Sequence, residues 1–136
     1  MGGVEKWAVA LASELSVKYN VHILSFGVVD EQASKVFSTF PVEQVSLWKL
    51  IFRILRGQRP HVCFAALTPA NILACFLFLF SNTKVISSAH LTLRRESAHG
   101  TLHFLRRRLL YYITGLCSDF VIAVSHGVAE DLTLLA

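Results

Sequence analysis

Five arginines in two short clusters are the side chains of this sequence best suited to binding an anionic ligand. Arg94 and Arg95 lie in the segment LTLRRESAHG, and the other three are consecutive at positions 106–108. Together they are five of the thirteen basic residues behind a net charge of +4. Phosphate-bearing ligands, an anionic membrane surface and a solvated helix face all fit such clusters. Nucleic acid is not expected as a partner, because no RNA-binding, helix-turn-helix or zinc-finger pattern accompanies the basic residues.

Metal and disulfide chemistry are not indicated. The three cysteines, Cys63, Cys75 and Cys117, are widely spaced in apolar surroundings, which is typical of small core residues in a reducing compartment. The six histidines show no ligand spacing such as HExxH. We therefore expect no metal site.

The chain begins with MGGVEKWAVALASEL, in which two glycines directly precede an amphipathic helix. Such a turn normally follows a β-strand, and here only Met1 comes before it. Apolar residues then form a single helical stripe: Val4, Trp7, Ala8, Leu11, Ala12 and Leu15.

Strand-like and helix-like segments alternate along the rest of the chain. VHILSFG, HVCFAAL, KVISSAH and DFVIAVS predict strands, VEQVSL predicts a short edge strand, and helices are expected over residues 102–116 and from GVAEDLTLLA. Apolar runs without clean alternation indicate strands buried on both faces, hence a parallel sheet with helices on both sides. The predicted fold is a Rossmann-like, doubly wound α/β domain, in which loops at strand ends, such as LTLRRESAHG, are where ligands bind.

Residues 62–83 carry no charge and have about the length of a membrane span. Pro69 divides this stretch, because the residue before a proline is disfavoured in a helix while proline suits a helix start. We therefore predict a strand, a turn and a helix over residues 70–80. That helix is too short to cross a bilayer and is expected in the core, with insertion at a membrane surface or burial against a missing domain as the alternatives.

A second amphipathic helix is basic. The segment LWKLIFRILRGQRP places five apolar residues on one predicted face: Leu47, Leu50, Ile51, Ile54 and Leu55. Docking of this face on the domain core is the simpler interpretation, and adhesion to anionic lipid is the other.

Four local patterns, in this order, resemble the N-terminal half of family 4 (group 1) glycosyltransferases of the GT-B fold. They are GGVEKWAVALASEL followed by a strand, RPHVCFAALTPANILA, KVISSAH and DFVIAVSHGVAEDL, and they cover nearly the whole chain. The resemblance implies one incomplete Rossmann-like domain over residues 1–136, on the acceptor side of the enzyme. Two family features are missing from the sequence: the first strand, which precedes the Gly-Gly turn, and the C-terminal donor-binding domain with its paired glutamates.

The resemblance implies roles for three residues. Gly2 and Gly3 match a nucleotide-sugar phosphate loop, whose backbone N–H groups approach a diphosphate at a helix N-terminus; a plain tight turn is the alternative. His90 follows a strand that ends in the cleft between the two domains, near the reacting sugar or the acceptor, and it is the candidate catalytic residue.

Three further residues are candidates for the acceptor or cleft region. Ser125 matches a position at the cleft edge, and it also suits the N-cap of the last helix. Arg94 and Arg95 could hold phosphate or an anionic acceptor, although no motif of the family assigns them.

The activity implied is transfer of a sugar, with retention, from a nucleotide-diphosphate sugar to a glycan or a lipid-linked acceptor, without a metal or other cofactor. The 136-residue chain alone is expected to be inactive. It is expected in the cytoplasm, with an anionic membrane surface as a further partner at the inner face. The alternatives are a non-catalytic membrane-associated subunit that brings a lipid-linked acceptor to a separate donor-binding chain, and a small membrane-associated protein without sugar chemistry.

Overall fold

A computed structural model describes residues 3–26, 40–90 and 101–133. In chain order its elements are α1 (Gly3–Ser16), β1 (Ile23–Ser25), β2 (Val42–Gln44), α2 (Leu47–Leu55), β3 (Val62–Ala66), α3 (Thr68–Phe78), β4 (Lys84–Ala89), α4 (Thr101–Cys117), β5 (Phe120–Ala123) and α5 (His126–Thr133). All described strand pairs are parallel. The predicted α/β class with parallel strands is thus confirmed. The chain divides into two compact units, Met1–Arg59 and Pro60–Ala136.

The first unit contains α1, a two-stranded sheet and α2. Strands β1 and β2 pair with Ile23 opposite Val42. Its core consists of Val9 and Ala12 from α1 with Phe40, and Val21 and Ile23 pack against them.

The apolar stripe predicted on α1 coincides only in part with the residues that are buried. Val9, which the stripe omitted, is buried, whereas Leu15 is exposed. The reason is that Phe40 and the start of β1 cover the side of α1 that carries Val9 and Ala12.

Helix α2 begins at an N-cap residue, Ser46, and salt bridges join it to Glu43 of β2. The Ser46 hydroxyl accepts a hydrogen bond from the backbone N–H of Lys49 at 3.3 Å. Glu43 accepts from Lys49 at 2.9 Å and from both terminal nitrogens of Arg53 at 2.7 and 2.6 Å. The hydrogen bonds from Arg53 and then Lys49 lower the pKa of Glu43 to about 2. The ionised carboxylate therefore orients α2 against β2.

The prediction that one apolar face of α2 packs on the core is wrong at the first and last residues of the helix. Ile54 is buried, but Leu47 and Leu55 are exposed. Consecutive residues of a helix point about 100° apart, so Ile54 and Leu55 cannot both face one shallow core. Gly57, with a φ of 82°, follows the helix and donates its N–H to the carbonyl of Ile54 at 3.0 Å.

The second unit contains a three-stranded parallel sheet in the order β3-β4-β5. Helix α3 packs on β3 and β4 and against α4, while α4 and α5 contact β5. Ala89, Tyr111 and Val128 form the core between β4, α4 and α5. In the described part of the chain β1 and β3 each pair with a strand on one side only.

The apolar stretch at residues 62–83 forms β3, a turn and α3, as predicted. None of the helices in the described ranges has the length and apolar character needed to span a bilayer. Within this stretch Cys75 is buried, and desolvation raises the pKa of the neighbouring Cys63 thiol to about 11.

The expectation of strands buried on both faces holds for β4 but not for β5. Val85, Ser87, Ser88 and Ala89 of β4 are buried. Along β5 exposed and half-buried positions alternate instead, and Phe120 is exposed. β5 lies at the edge of the described sheet with one face under α4 and α5, so its other face stays open.

Candidate functional site

The candidate site lies at the carboxyl edge of the three-stranded sheet. β4 ends at Ala89, and His90 follows it directly. Val124, which follows β5, donates its backbone N–H to the carbonyl of Ala89 at 3.3 Å. Because parallel strands end at the same edge of a sheet, the residues that follow β4 and β5 share this edge. The structure therefore brings His90 and Ser125 to one side of the unit.

A residue of β4, the strand that precedes His90, holds its side chain. Its Nε2 atom lies 2.6 Å from the hydroxyl oxygen of Ser88, within hydrogen-bonding distance. Ser88 is fully buried and His90 half-buried. Burial lowers the pKa of His90 below its ordinary value of 6.5, because desolvation disfavours the charged imidazolium. Ser88 thus orients the imidazole, and burial favours its uncharged form.

Asn71 fixes the end of β4 from the neighbouring helix. Its side chain is 1% exposed, and Nδ2 donates to the backbone carbonyl of Ser88 at 2.9 Å. Its Oδ1 atom is buried and has no hydrogen-bond partner among the described residues. Asn71 is not among the residues predicted from the sequence; the available signal was a polar residue in the first turn of an otherwise apolar helix.

The turn from β3 into α3 is strained. Leu67 has a φ of 76° and a ψ of 143°, a backbone conformation that branched, bulky side chains rarely adopt. Thr68 follows it and is buried, and its hydroxyl oxygen accepts a hydrogen bond from Arg107 at 3.2 Å. Strain of this kind persists only where the surroundings hold it, and it concentrates at functional sites.

The arginine cluster at positions 106–108 is divided between two environments. Arg107 is half-buried and reaches the start of α3, whereas Arg106 and Arg108 are exposed. From the sequence the three form one group, since spacing along the chain does not show which side chains face inward.

Ser125 caps α5. Its hydroxyl oxygen accepts a hydrogen bond from the backbone N–H of Val128 at 3.4 Å, and its carbonyl accepts from Ala129 at 3.0 Å. The N-cap interpretation is confirmed. The side chain is also exposed at the strand edge, so the cap does not exclude a second contact from solvent.

Three candidate residues, Gly2, Arg94 and Arg95, lie outside the described residues. Gly3 is the first residue of α1, in the first unit. Its predicted partnership with a diphosphate stays a prediction.

Comparison with protein families supplies the deciding observation: the model for Glycosyltransferase Family 4 matches residues 1–135. The chain belongs to glycosyltransferase family 4. No curated relative and no solved structure matches this family 4 chain. The match spans both units, and the resemblance noted in the sequence is confirmed.

At the carboxyl edge of the three-stranded sheet, the imidazole of His90 lies near the buried hydroxyl of Ser88 and the buried amide of Asn71. An uncharged imidazole can accept a proton or a hydrogen bond from a sugar hydroxyl near neutral pH. Ser88 orients the ring, and Asn71 holds the backbone of Ser88. The geometry therefore suits hydrogen bonding to a hydroxyl-bearing ligand at His90.

Proposed function

We propose that this family 4 chain forms the acceptor-binding half of a hexosyltransferase. The enzyme transfers a sugar from a nucleotide-diphosphate sugar to a glycan or lipid-linked acceptor, and the anomeric configuration is retained. The observation that carries the proposal is the oriented, neutral His90 at the carboxyl end of β4 in a chain that matches the family over residues 1–135.

The proposed division of labour follows from the chemistry of each group. His90 contacts the acceptor hydroxyl or the reacting sugar, and the backbone N–H groups at Gly2 and Gly3 face the diphosphate at the start of α1. Ser125, Arg94 and Arg95 border the acceptor. A donor-binding domain, which this half requires, grips the nucleotide, and closure of the two halves excludes water.

In the reaction the bond between the anomeric carbon and the phosphate oxygen breaks, and a bond to the acceptor oxygen forms. The acceptor hydroxyl passes its proton to the uncharged imidazole of His90, and the nucleoside diphosphate leaves with the electron pair of the broken bond. A hydrogen bond from the acceptor hydroxyl to an uncharged imidazole aligns the attacking oxygen. No metal or further cofactor takes part in this scheme.

A donor panel tests the proposal. The protein, produced as its gene encodes it, is incubated with uridine-, guanosine- and adenosine-diphosphate sugars and with glycan and lipid extracts of its source cells. We expect one nucleotide sugar to be consumed and its sugar to be transferred to an acceptor. The new linkage should have the same anomeric configuration as the donor. Residues 1–136 alone should show no transfer. The proposal is wrong if a folded protein of natural length consumes none of these donors.

A second candidate role is supported by the exposed side of α2. Trp48 is 79% exposed, and Phe52 and Leu55 lie on the same side of the helix, also exposed. The guanidinium of Arg56 stands 4.4 Å from the centre of the Phe52 ring. Aromatic and basic side chains in this combination favour the interface of an anionic bilayer. We therefore propose that α2 holds the protein at the cytoplasmic membrane face, where a lipid-linked acceptor is reached, either in the transferase or in a non-catalytic subunit.

Trp48 can report this contact directly. The only other tryptophan is Trp7, so a Trp7→Phe variant leaves Trp48 as the sole indole. With vesicles that contain phosphatidylglycerol we expect its emission to shift to shorter wavelength and to be quenched by brominated lipid.

The charge dependence of that binding supplies the control. Replacing Arg56 and Arg59 by glutamine should weaken binding roughly tenfold or more, at about 1 kcal/mol per cation near the surface. Lys18, an exposed cation on the α1 side of the first unit, is the matched control, and Lys18→Gln should change little. Equal binding to purely zwitterionic vesicles, or an unshifted Trp48 spectrum, would contradict the membrane role.

A further inference from the structure

One face of α4 is apolar, exposed and spaced like the seam of a coiled coil. Its five large side chains are between 50% and 82% exposed, and they recur at intervals of three and four residues: Leu102, Leu105, Leu109, Tyr112 and Leu116. We call these five residues the outer seam. The alternating intervals match positions a and d of a heptad repeat. The outer seam runs along about 21 Å of helix.

The opposite face of α4 is already used by the second unit. Tyr111 is buried in the core with Ala89 and Val128, and Thr114 is also buried. Arg107 on this side donates to Thr68. Among the described residues, none of the outer seam belongs to this core or packs against it, and the described part of the unit does not cover its five side chains.

The width of the outer seam distinguishes a helix from a bilayer as its partner. At about 100° per residue, the five side chains occupy a sector of only about 80°. Arg106 lies about 40° beyond one border and Arg108 about 40° beyond the other. A helix that lies in a membrane surface presents a wider apolar face, whereas a narrow stripe of a and d positions is typical of helix pairing.

The charged residues beside the outer seam indicate what kind of partner helix it can bind. Arg106 and Arg108 are exposed and occupy the e and g positions beside the outer seam. The sequence of α4 contains no acidic residue. A second copy of the chain would therefore set arginine against arginine, which disfavours self-pairing. Acidic residues at the flanking positions of a partner would instead complement both arginines.

We infer that the outer seam binds an α-helix of another protein whose own apolar heptad seam is flanked by acidic side chains. The inference does not rest on the transferase activity. The partner helix would lie along α4, place its apolar residues between those of the outer seam, and pair its flanking carboxylates with Arg106 and Arg108. Gly115 at a flanking position offers room for close approach, since a Cβ there would meet no atom within 4 Å.

The test uses two labelled synthetic peptides of about three heptads, both with leucine at a and d. One carries glutamate at every e and g position, and the other carries lysine. The protein is produced recombinantly at its natural length, without partners, and binding is followed by fluorescence anisotropy. We expect the acidic peptide to bind saturably and about tenfold or more tightly than the basic one.

Variants locate the binding surface. The double variant Leu105→Glu and Leu109→Glu should weaken binding of the acidic peptide about tenfold or more. Arg106→Glu with Arg108→Glu should reverse the preference between the peptides. Phe80→Glu is the matched control, because Phe80 is an equally large apolar residue of the same unit, 95% exposed and outside the outer seam. Circular dichroism should show unchanged melting for all variants, since every altered side chain is exposed.

Two outcomes would overturn the inference. The first is failure of the folded protein to bind either peptide, or equal binding of both. The second is binding to vesicles that contain phosphatidylglycerol, lost in the Leu105 and Leu109 variant, without any preference for the acidic peptide. That result would assign the outer seam to a membrane surface.

Discussion

Replacing His90 by alanine is expected to lower the turnover of the complete transferase roughly 100- to 10,000-fold, the range that a positioned acid–base group contributes. The fold should tolerate the change. His90 is half-buried, and its hydrogen bond to Ser88, which the substitution removes, is worth about 1 kcal/mol. Turnover is measured with saturating donor and acceptor, and stability by thermal melting.

Two further variants separate proton chemistry from positioning. His90→Gln can still hydrogen-bond to Ser88 but cannot take up a proton near neutral pH, so it should remain nearly as slow as His90→Ala. Ser88→Ala keeps the imidazole but frees its orientation, so a smaller loss, about tenfold, is expected. Unchanged turnover in His90→Ala would reduce His90 to a scaffold residue.

The pH dependence of the same reaction follows from the environment of His90. Burial holds the pKa of the imidazole below 6.5, so the neutral form, which the proposed reaction requires, predominates at pH 7. Turnover should stay level as pH rises above neutrality and should fall at acid pH, as the imidazole gains a proton. His90→Gln should lack this acid limb. An acid limb that persists unchanged in His90→Gln would show that another group titrates.

Replacing Asn71 by alanine is expected to produce the largest loss of stability, about 2–3 kcal/mol in the free energy of unfolding. Asn71 is 1% exposed, and its amide donates to the backbone carbonyl of Ser88. Alanine leaves that carbonyl buried without its donor and opens a cavity between α3 and β4. Urea unfolding at pH 7 measures the effect.

The control is Asn82→Ala, because Asn82 is exposed in the turn before β4. Its effect should stay within about 0.5 kcal/mol. Since Ser88 also orients His90, Asn71→Ala should in addition lower turnover, and Asn71→Ser, which retains a shorter donor, should recover part of both losses. A loss of stability in Asn71→Ala no larger than in Asn82→Ala would contradict the anchoring role of Asn71.

Local features of the fold could be predicted because their causes lie within a few residues. Pro69 ended one apolar segment and began another, which correctly predicted β3 and α3 in place of a membrane span. Ser125 preceded a helix with its hydroxyl free to accept an N–H, and it is the cap of α5. His90 could be picked out because it follows an apolar run that resembles a family pattern. Such features depend on backbone sterics and short-range hydrogen bonds, which the order of residues specifies.

Contacts between distant residues required the structure. Asn71 and Ser88 are 17 positions apart, and Arg107 and Thr68 are 39 apart, so no local spacing could pair them. The sequence also could not predict which face of each helix is buried. Helices α1, α2 and α4 each carry more apolar residues than one face can bury, and periodicity does not state which of them a neighbour covers.

The sequence by itself determined the alternation of strands and helices, the parallel α/β class and the family to which the chain belongs. Only the tertiary structure decided that Val9 enters the core, that Trp48 faces outward, and that the outer seam of α4 lies opposite the buried Tyr111. The physical reason is that an apolar side chain gains free energy from any surface that removes it from water. Which surface is available depends on where the rest of the chain packs.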